Sequence, residues 1–163
     1  MKIGVVSDTH SLKIPAQLLK DFQNVDLIVH AGDFCSESDY QLFKKIKDVK
    51  AVYGNMDEKK LCTLLSRRQV FECAGVMIGV FHGEGARLKV LEIVLKEFQK
   101  DKVQVVIFGH THQPLNEKMN GVLYFNPGSP NDRINAPFCS YGILEIKDGQ
   151  ATGHIVKVKE TNG

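Results

Sequence analysis

Met1-Lys2-Ile3-Gly4-Val5-Val6-Ser7-Asp8-Thr9-His10 runs apolar for a few residues and then turns polar at Ser7. So short an apolar run, bounded by polar residues, predicts a strand buried on both faces. The same pattern returns four times. Apolar runs over 25–31, 49–53, 76–81 and 103–108 end respectively in Gly32-Asp33, Gly54-Asn55, His82-Gly83 and Gly109-His110-Thr111-His112. Helical spacing fills the gaps. Ala16, Leu18, Leu19 and Phe22 follow Pro15, which suits a first helical turn, and Tyr40, Phe43, Lys44 and Ile46 suggest a second helix. A short helix is expected over 58–65 and a longer one over 86–98. Leu88, Leu91, Ile93, Val94, Leu95 and Phe98 form the apolar stripe of the latter. A hairpin joins 69–73 to 76–81 through Ala74-Gly75, and Asn120-Gly121 and Asp148-Gly149 signal two more. Early strands alternating with helices and later strands joined by hairpins predict an α/β chain with a mixed pair of sheets and helices outside. Strand order stays open at this level.

The 163 residues predict a single domain over 1–163 with room for a proper core. An apolar fraction of 43% against 25% charged residues sets disorder aside. No apolar run approaches the ~18 residues of a membrane span, and the start turns polar too early for a signal peptide. A charge of +2 gives no electrostatic case for a nucleic-acid or membrane partner. The cysteines, Cys35, Cys62, Cys73 and Cys139, form no Cys-x-x-Cys pair. That argues against a zinc ribbon and predicts a reducing cytoplasm.

In an α/β sheet the carboxyl ends of parallel strands share one edge, so the five polar clusters are expected to converge there. They bring Asp8, His10, Asp33, Asn55, His82, His110 and His112, a mixed oxygen and nitrogen donor set. Structural zinc sites favour thiolate and calcium sites nearly all oxygen; seven mixed donors exceed one transition metal and suit two that share a bridge.

Taken in order, these fragments resemble the motif series of the calcineurin-like metallophosphoesterases: Asp-x-His at 8–10, Gly-Asp at 32–33, Gly-Asn-x-Asp at 54–57, His-Gly at 82–83 and Gly-His-x-His at 109–112. With Asn126-Pro127-Gly128-Ser129 and the tail of hairpins, the chain is similar to the small bacterial and archaeal branch, which includes the YfcE-type phosphodiesterases and is related to the scaffold subunit of retromer. The resemblance implies a four-layer α/β/β/α sandwich with a dinuclear metal site at the strand C-terminal edge. It implies one ion on Asp8, His10 and His112, another on Asn55, His82 and His110, and Asp33 between them. Asp33 and His82 would then carry catalysis, with two divalent ions, Mn²⁺ ahead of Ni²⁺, Zn²⁺ or Fe, and a small phosphoester as substrate. The implied reaction is in-line attack by a hydroxide shared between the ions.

One position departs from the family. The Gly-Asn-x-Asp block often carries His or Cys at x, and here it is Met56, whose thioether donates no proton. Asp57 is left to act through water or to orient a ligand. The alternative to an enzyme is a catalytically weak scaffold that keeps the fold for protein binding. His30 is expected either behind a ligand or in the core, Cys35 as a buried or loop thiol, 126–129 as a turn near the site, and Arg133 as an exposed loop residue.

Overall fold

Alternate residues of the apolar runs go to opposite faces, and this divides the core into layers. The computed structural model describes residues 1–159; the last four residues of the expected domain lie outside the described residues. In chain order it has β1 (Lys2–Val6), α1 (Ala16–Phe22), β2 (Leu27–His30), α2 (Glu37–Lys44), β3 (Val49–Ala51), α3 (Lys59–Leu64), β4 (Arg68–Cys73) and β5 (Val76–Phe81). A 3-10 turn (Arg87–Lys89) then leads into α4 (Val90–Glu97), β6 (Val105–Ile107), β7 (Leu115–Met119), β8 (Val122–Asn126), β9 (Ser140–Lys147) and β10 (Gln150–Lys157). The strands form two five-stranded sheets, ordered β10-β9-β1-β2-β3 and β4-β5-β6-β8-β7. Both are mixed: β1, β2 and β3 run parallel in the first, and β5, β6 and β8 in the second.

Ile3, Val5 and Val29 meet Ile78, Val80, Val105 and Ile107 between the sheets. The residues between them in sequence point outward. Val6 and Ile28 pack under α1, α2 and α3 with Phe22, Phe43 and Leu61, while Val106 and Phe108 pack under α4 with Val90, Val94 and Phe98. The molecule is the expected four-layer α/β/β/α sandwich. Each sheet gives up a side chain to admit a ring from its covering layer. A Cβ on Gly4 would stand 2.8 Å from the Phe22 ring, and one on Gly79 would stand 2.5 Å from Phe98.

All three hairpins turn through two left-handed residues, with φ 49° and 78° at Ala74-Gly75, 50° and 84° at Asn120-Gly121, and 52° and 70° at Asp148-Gly149. That is the twist-compatible hairpin geometry the dipeptides predict. The helix expected over 86–98 is shorter. Its first turn is 3-10, closed by the Lys89 amide donating to the Ala86 carbonyl, and Leu88 is 99% exposed instead of lying on the apolar stripe. The preceding residues belong to the loop beside His110, so the α-helical face begins only at Val90. Among the described residues no helix is long and apolar enough to cross a membrane.

Candidate metal centre

The parallel strands β1, β2, β5 and β6 end at Asp8, Asp33, His82 and His110 with His112, and the turn after β3 supplies Asn55. These side chains converge on one rim. Asp8, His10 and His112 offer donor atoms within 4.8 Å of one another, as do Asp8, Asp33 and His82. Asp33 Oδ2 lies 3.7 Å from His10 Nε2 and 3.4 Å from His82 Nε2, between the two halves. Asp8 Oδ1 also reaches both halves, 3.2 Å from His112 Nε2 and 3.9 Å from His82 Nε2. Asn55 Oδ1 sits 3.2 Å from His82 Nε2 and 2.9 Å from His110 Nδ1. The turns that aim these groups are strained: Asp8, His10, Asp33, His110 and His112 have φ of 56°, 49°, 59°, 68° and 59°. Left-handed backbone at non-glycine residues concentrates where surrounding contacts over-determine it, commonly at functional sites.

The far nitrogen of each imidazole is fixed from behind. His82 Nδ1 donates to the Ala31 carbonyl at 2.7 Å and His110 Nε2 to the Gly85 carbonyl at 2.8 Å. In their neutral forms both rings therefore turn a lone pair towards Asn55 Oδ1. His112 Nδ1 is paired with the Asp132 carboxylate, and His10 Nδ1 lies 3.6 Å from Cys35 Sγ. Burial and the carboxylates around it, Asp33 first, push the Cys35 thiol up to about 11, so it stays protonated beside the ring.

Burial alone would raise the Asp8 and Asp33 carboxyls, but the facing imidazoles outweigh it and both are lowered. Burial would likewise lower His82, yet the Asp33 hydrogen bond and the charges of Asp8 and Asp33 raise it to about 9. Such a site holds either protons or a cation in their place. One atom bears on the choice: Asp8 Oδ1 is fully buried and has no hydrogen-bond partner. An orphaned carboxylate oxygen facing three imidazole nitrogens, with a second carboxylate alongside, fits divalent cations by donor chemistry and by position.

Residues 1–149 match the calcineurin-like phosphoesterase superfamily domain. The chain belongs to that family. The probable metallophosphoesterase MJ0623 of Methanocaldococcus jannaschii is 40% identical over 139 residues, spanning 80% of this chain and 68% of its own length. Phosphodiesterase MJ0936 of the same organism is 32% identical over 142 residues, with 78% and 83% covered. A solved archaeal phosphodiesterase superposes with a TM-score of 0.77 at 28% identity, covering 96% of this chain and 100% of its own. Vps29 of Chaetomium thermophilum reaches a TM-score of 0.79 at 20% identity, covering 97% of each chain, a likeness of fold.

The turn expected near the site at 126–129, together with Asn131, which the sequence pattern does not mark, supports the rim from behind. A sixth parallel strand end, that of β8, buttresses the centre. The Asn126 side chain donates to the Gly109 carbonyl at 3.1 Å and the Thr111 hydroxyl at 3.0 Å, Ser129 Oγ donates to the Asp8 carbonyl at 2.8 Å, and Asn131 donates to the Thr9 carbonyl at 2.9 Å. His30 lies behind the candidate donors. Its Nδ1 accepts the Gly32 amide at 3.2 Å, its Nε2 meets Thr9 Oγ1 at 3.2 Å, and its ring stacks on Phe34. Burial holds it neutral. The Asp57 carboxylate accepts the amides of Asp33, Cys35 and Gly54 at 3.0, 2.7 and 2.7 Å. It clamps the turn of Asp33 to the turn of Asn55.

Asp132 is the residue most plainly missed: it lies in a polar loop 20 residues from His112, and nothing in its spacing marks it. Carboxylates behind ligating imidazoles set ring orientation and raise basicity, and losing them typically costs ~10–100-fold in metal affinity. Asp132→Asn is expected to weaken metal binding by about that factor while retaining the fold. Calorimetric titration with Mn²⁺ checks this, and an unchanged isotherm would refute it.

Proposed function

We propose that this chain is a metal-dependent phosphodiesterase acting on a small phosphoester, with Asp8, His10, Asp33, Asn55, His82, His110 and His112 holding two divalent cations. Mn²⁺ is favoured over Ni²⁺, Zn²⁺ or Fe, and four cysteines without a Cys-x-x-Cys pair suit a reducing cytoplasm. The observation that carries this reading is the buried, unpartnered Asp8 Oδ1 set among imidazole nitrogens. Kinship with a named phosphodiesterase at 32% identity supports the reaction class.

When bound, the cations supply charge to neutralise the phosphoryl oxygens and to acidify a water. The protein's part is placement. Asp33, only 2% exposed, sits between the two halves, with its other oxygen held by the Met56 amide at 2.8 Å. His82, 1% exposed, is locked in one tautomer by the Ala31 carbonyl. In hydrolysis the water oxygen forms a bond to phosphorus, the ester P–O bond on the opposite side breaks, and the departing oxygen takes up a proton. Position 56 offers nothing to protonate that oxygen: the Met56 side chain is a thioether, 57% exposed. Esters with acidic leaving groups are therefore the favoured substrates. Met56 is also the observation that favours the second reading, a catalytically weak scaffold.

The two readings separate on protein stripped with a chelator and reloaded with Mn²⁺. Hydrolysis of bis(p-nitrophenyl) phosphate that returns with the metal supports the enzyme, whereas metal uptake without turnover refutes it. The binding step has its own pH signature. A cation must displace the proton that His82 keeps up to about 9, so metal affinity should climb through neutral pH and level off above that value. The His82 contribution to the metal-free fold runs the other way. A raised imidazole stabilises fully below its ordinary 6.5, and that support is lost as pH rises through about 9.

A further inference from the structure

His30 ends β2, fully buried on the helix-covered side of its sheet, where Val6 beside it and Ile28 before it are apolar. An imidazole at such a position brings two ring nitrogens that an apolar side chain would not, and each must be satisfied. Both find partners, and both partners belong to turns that carry candidate donors. The Gly32 amide can only donate, so Nδ1 accepts it at 3.2 Å. The neutral ring then keeps its proton on Nε2, which donates to Thr9 Oγ1 at 3.2 Å. The face of the ring lies on Phe34, with centroids 3.4 Å apart and planes 17° from parallel, and Phe43 closes on it edgewise at 5.3 Å.

These contacts bracket the donors. Thr9 stands between Asp8 and His10, and Gly32 and Phe34 stand on either side of Asp33. The two turns are also laced through their backbones, the amides of Asp8 and His10 donating to the carbonyls of Gly32 and Asp33 at 3.0 Å each. Those bonds hold chain to chain and leave the pitch of each turn, and so the aim of its carboxylate, to side-chain contacts. With φ of 56° at Asp8 and 59° at Asp33, that pitch is one the chain keeps only where its surroundings enforce it.

We propose that His30 is a positioning residue that sets the separation of the two cation positions, bracing the turn of Asp8 and His10 against the turn of Asp33 through Thr9 and Gly32; the proposal rests on the two-cation reading above. A single ion tolerates a small shift of its donors. A pair sharing Asp33 does not, because both positions must meet the same carboxylate. Stepwise calorimetric titration with Mn²⁺ and electron paramagnetic resonance of the loaded full chain test this. The unaltered protein is expected to bind two ions and to show the spectrum of a magnetically coupled pair. His30→Phe keeps a stacked ring and removes both hydrogen bonds. It should leave the first ion nearly unaffected, weaken the second by ~10–100-fold, and replace the coupled spectrum with that of isolated ions. Thr9→Val removes the hydroxyl at nearly the same shape and should give the same change in smaller measure, so the test stands even if His30→Phe fails to fold. In the double variant the loss should match that of His30→Phe alone, since the shared bond cannot be lost twice. Fully additive losses would overturn the brace. So would variants that only melt earlier, with both affinities and the coupled spectrum unchanged, which would leave His30 a core residue and the two-cation reading intact. An unaltered protein that binds no coupled pair overturns the two-cation reading, and the proposal with it.

Discussion

Asp33→Asn should lower phosphodiester hydrolysis by at least about 10²–10³-fold, the scale of losing one group that stabilises charge in a transition state. The substitution changes charge with almost no change in volume. Asp33 Oδ2 lies between His10 and His82, and an amide there puts either a neutral oxygen or an N–H donor where a cation would sit. The backbone of this turn keeps its clamp, the Asp33 and Gly54 amides both donating to the Asp57 carboxylate. Metal content measured alongside activity should fall below two ions per chain, and the metal-free protein should lose the support that Asp33 gives to the protonated His82 ring. Full activity and full metal content in Asp33→Asn would remove Asp33 from the site.

A second large effect is expected where no donor is touched. A Cβ on Gly54 would collide with Asp33 Oδ1 and stand 2.7 Å from the Asp33 amide nitrogen. Gly54 donates its own amide to Asp57 at 2.7 Å, so its backbone is tied and cannot retreat freely. The Asp33 carboxylate is what must move. Gly54→Ala should therefore weaken metal binding by at least ~10–100-fold, as disturbing the groups around a ligand typically does, and activity should fall with it. Gly75→Ala, in the β4–β5 hairpin with open space around it and φ of 78°, is the control: it strains the fold without affecting the metal. If both variants bind Mn²⁺ as the unaltered chain does, the close approach at Gly54 carries no functional weight.

Much of this was legible in the sequence because it is local. Short apolar runs mark strands buried on both faces, and each run stops one or two residues before a donor. Dipeptides such as Asn120-Gly121 signal their own hairpins. What stayed hidden depends on contacts across the chain. Asp132 reaches His112, Ser129 reaches Asp8 across 121 positions, and Gly85 gives its carbonyl to His110, none of them marked by spacing. The left-handed backbone at Asp8 and His110 is equally silent, since a non-glycine residue takes that conformation only when its surroundings enforce it. Leu88 misled for a related reason. It has the period of the α4 stripe, but the loop before Val90 is held at the rim by His110.

The most direct test of the account is anomalous diffraction from crystals of the Mn²⁺-loaded protein. The expected map has two peaks about 3.5–4 Å apart, one against Asp8, His10 and His112, the other against Asn55, His82 and His110, with Asp33 reaching both. A single peak, or peaks away from Asp8 Oδ1, would contradict it.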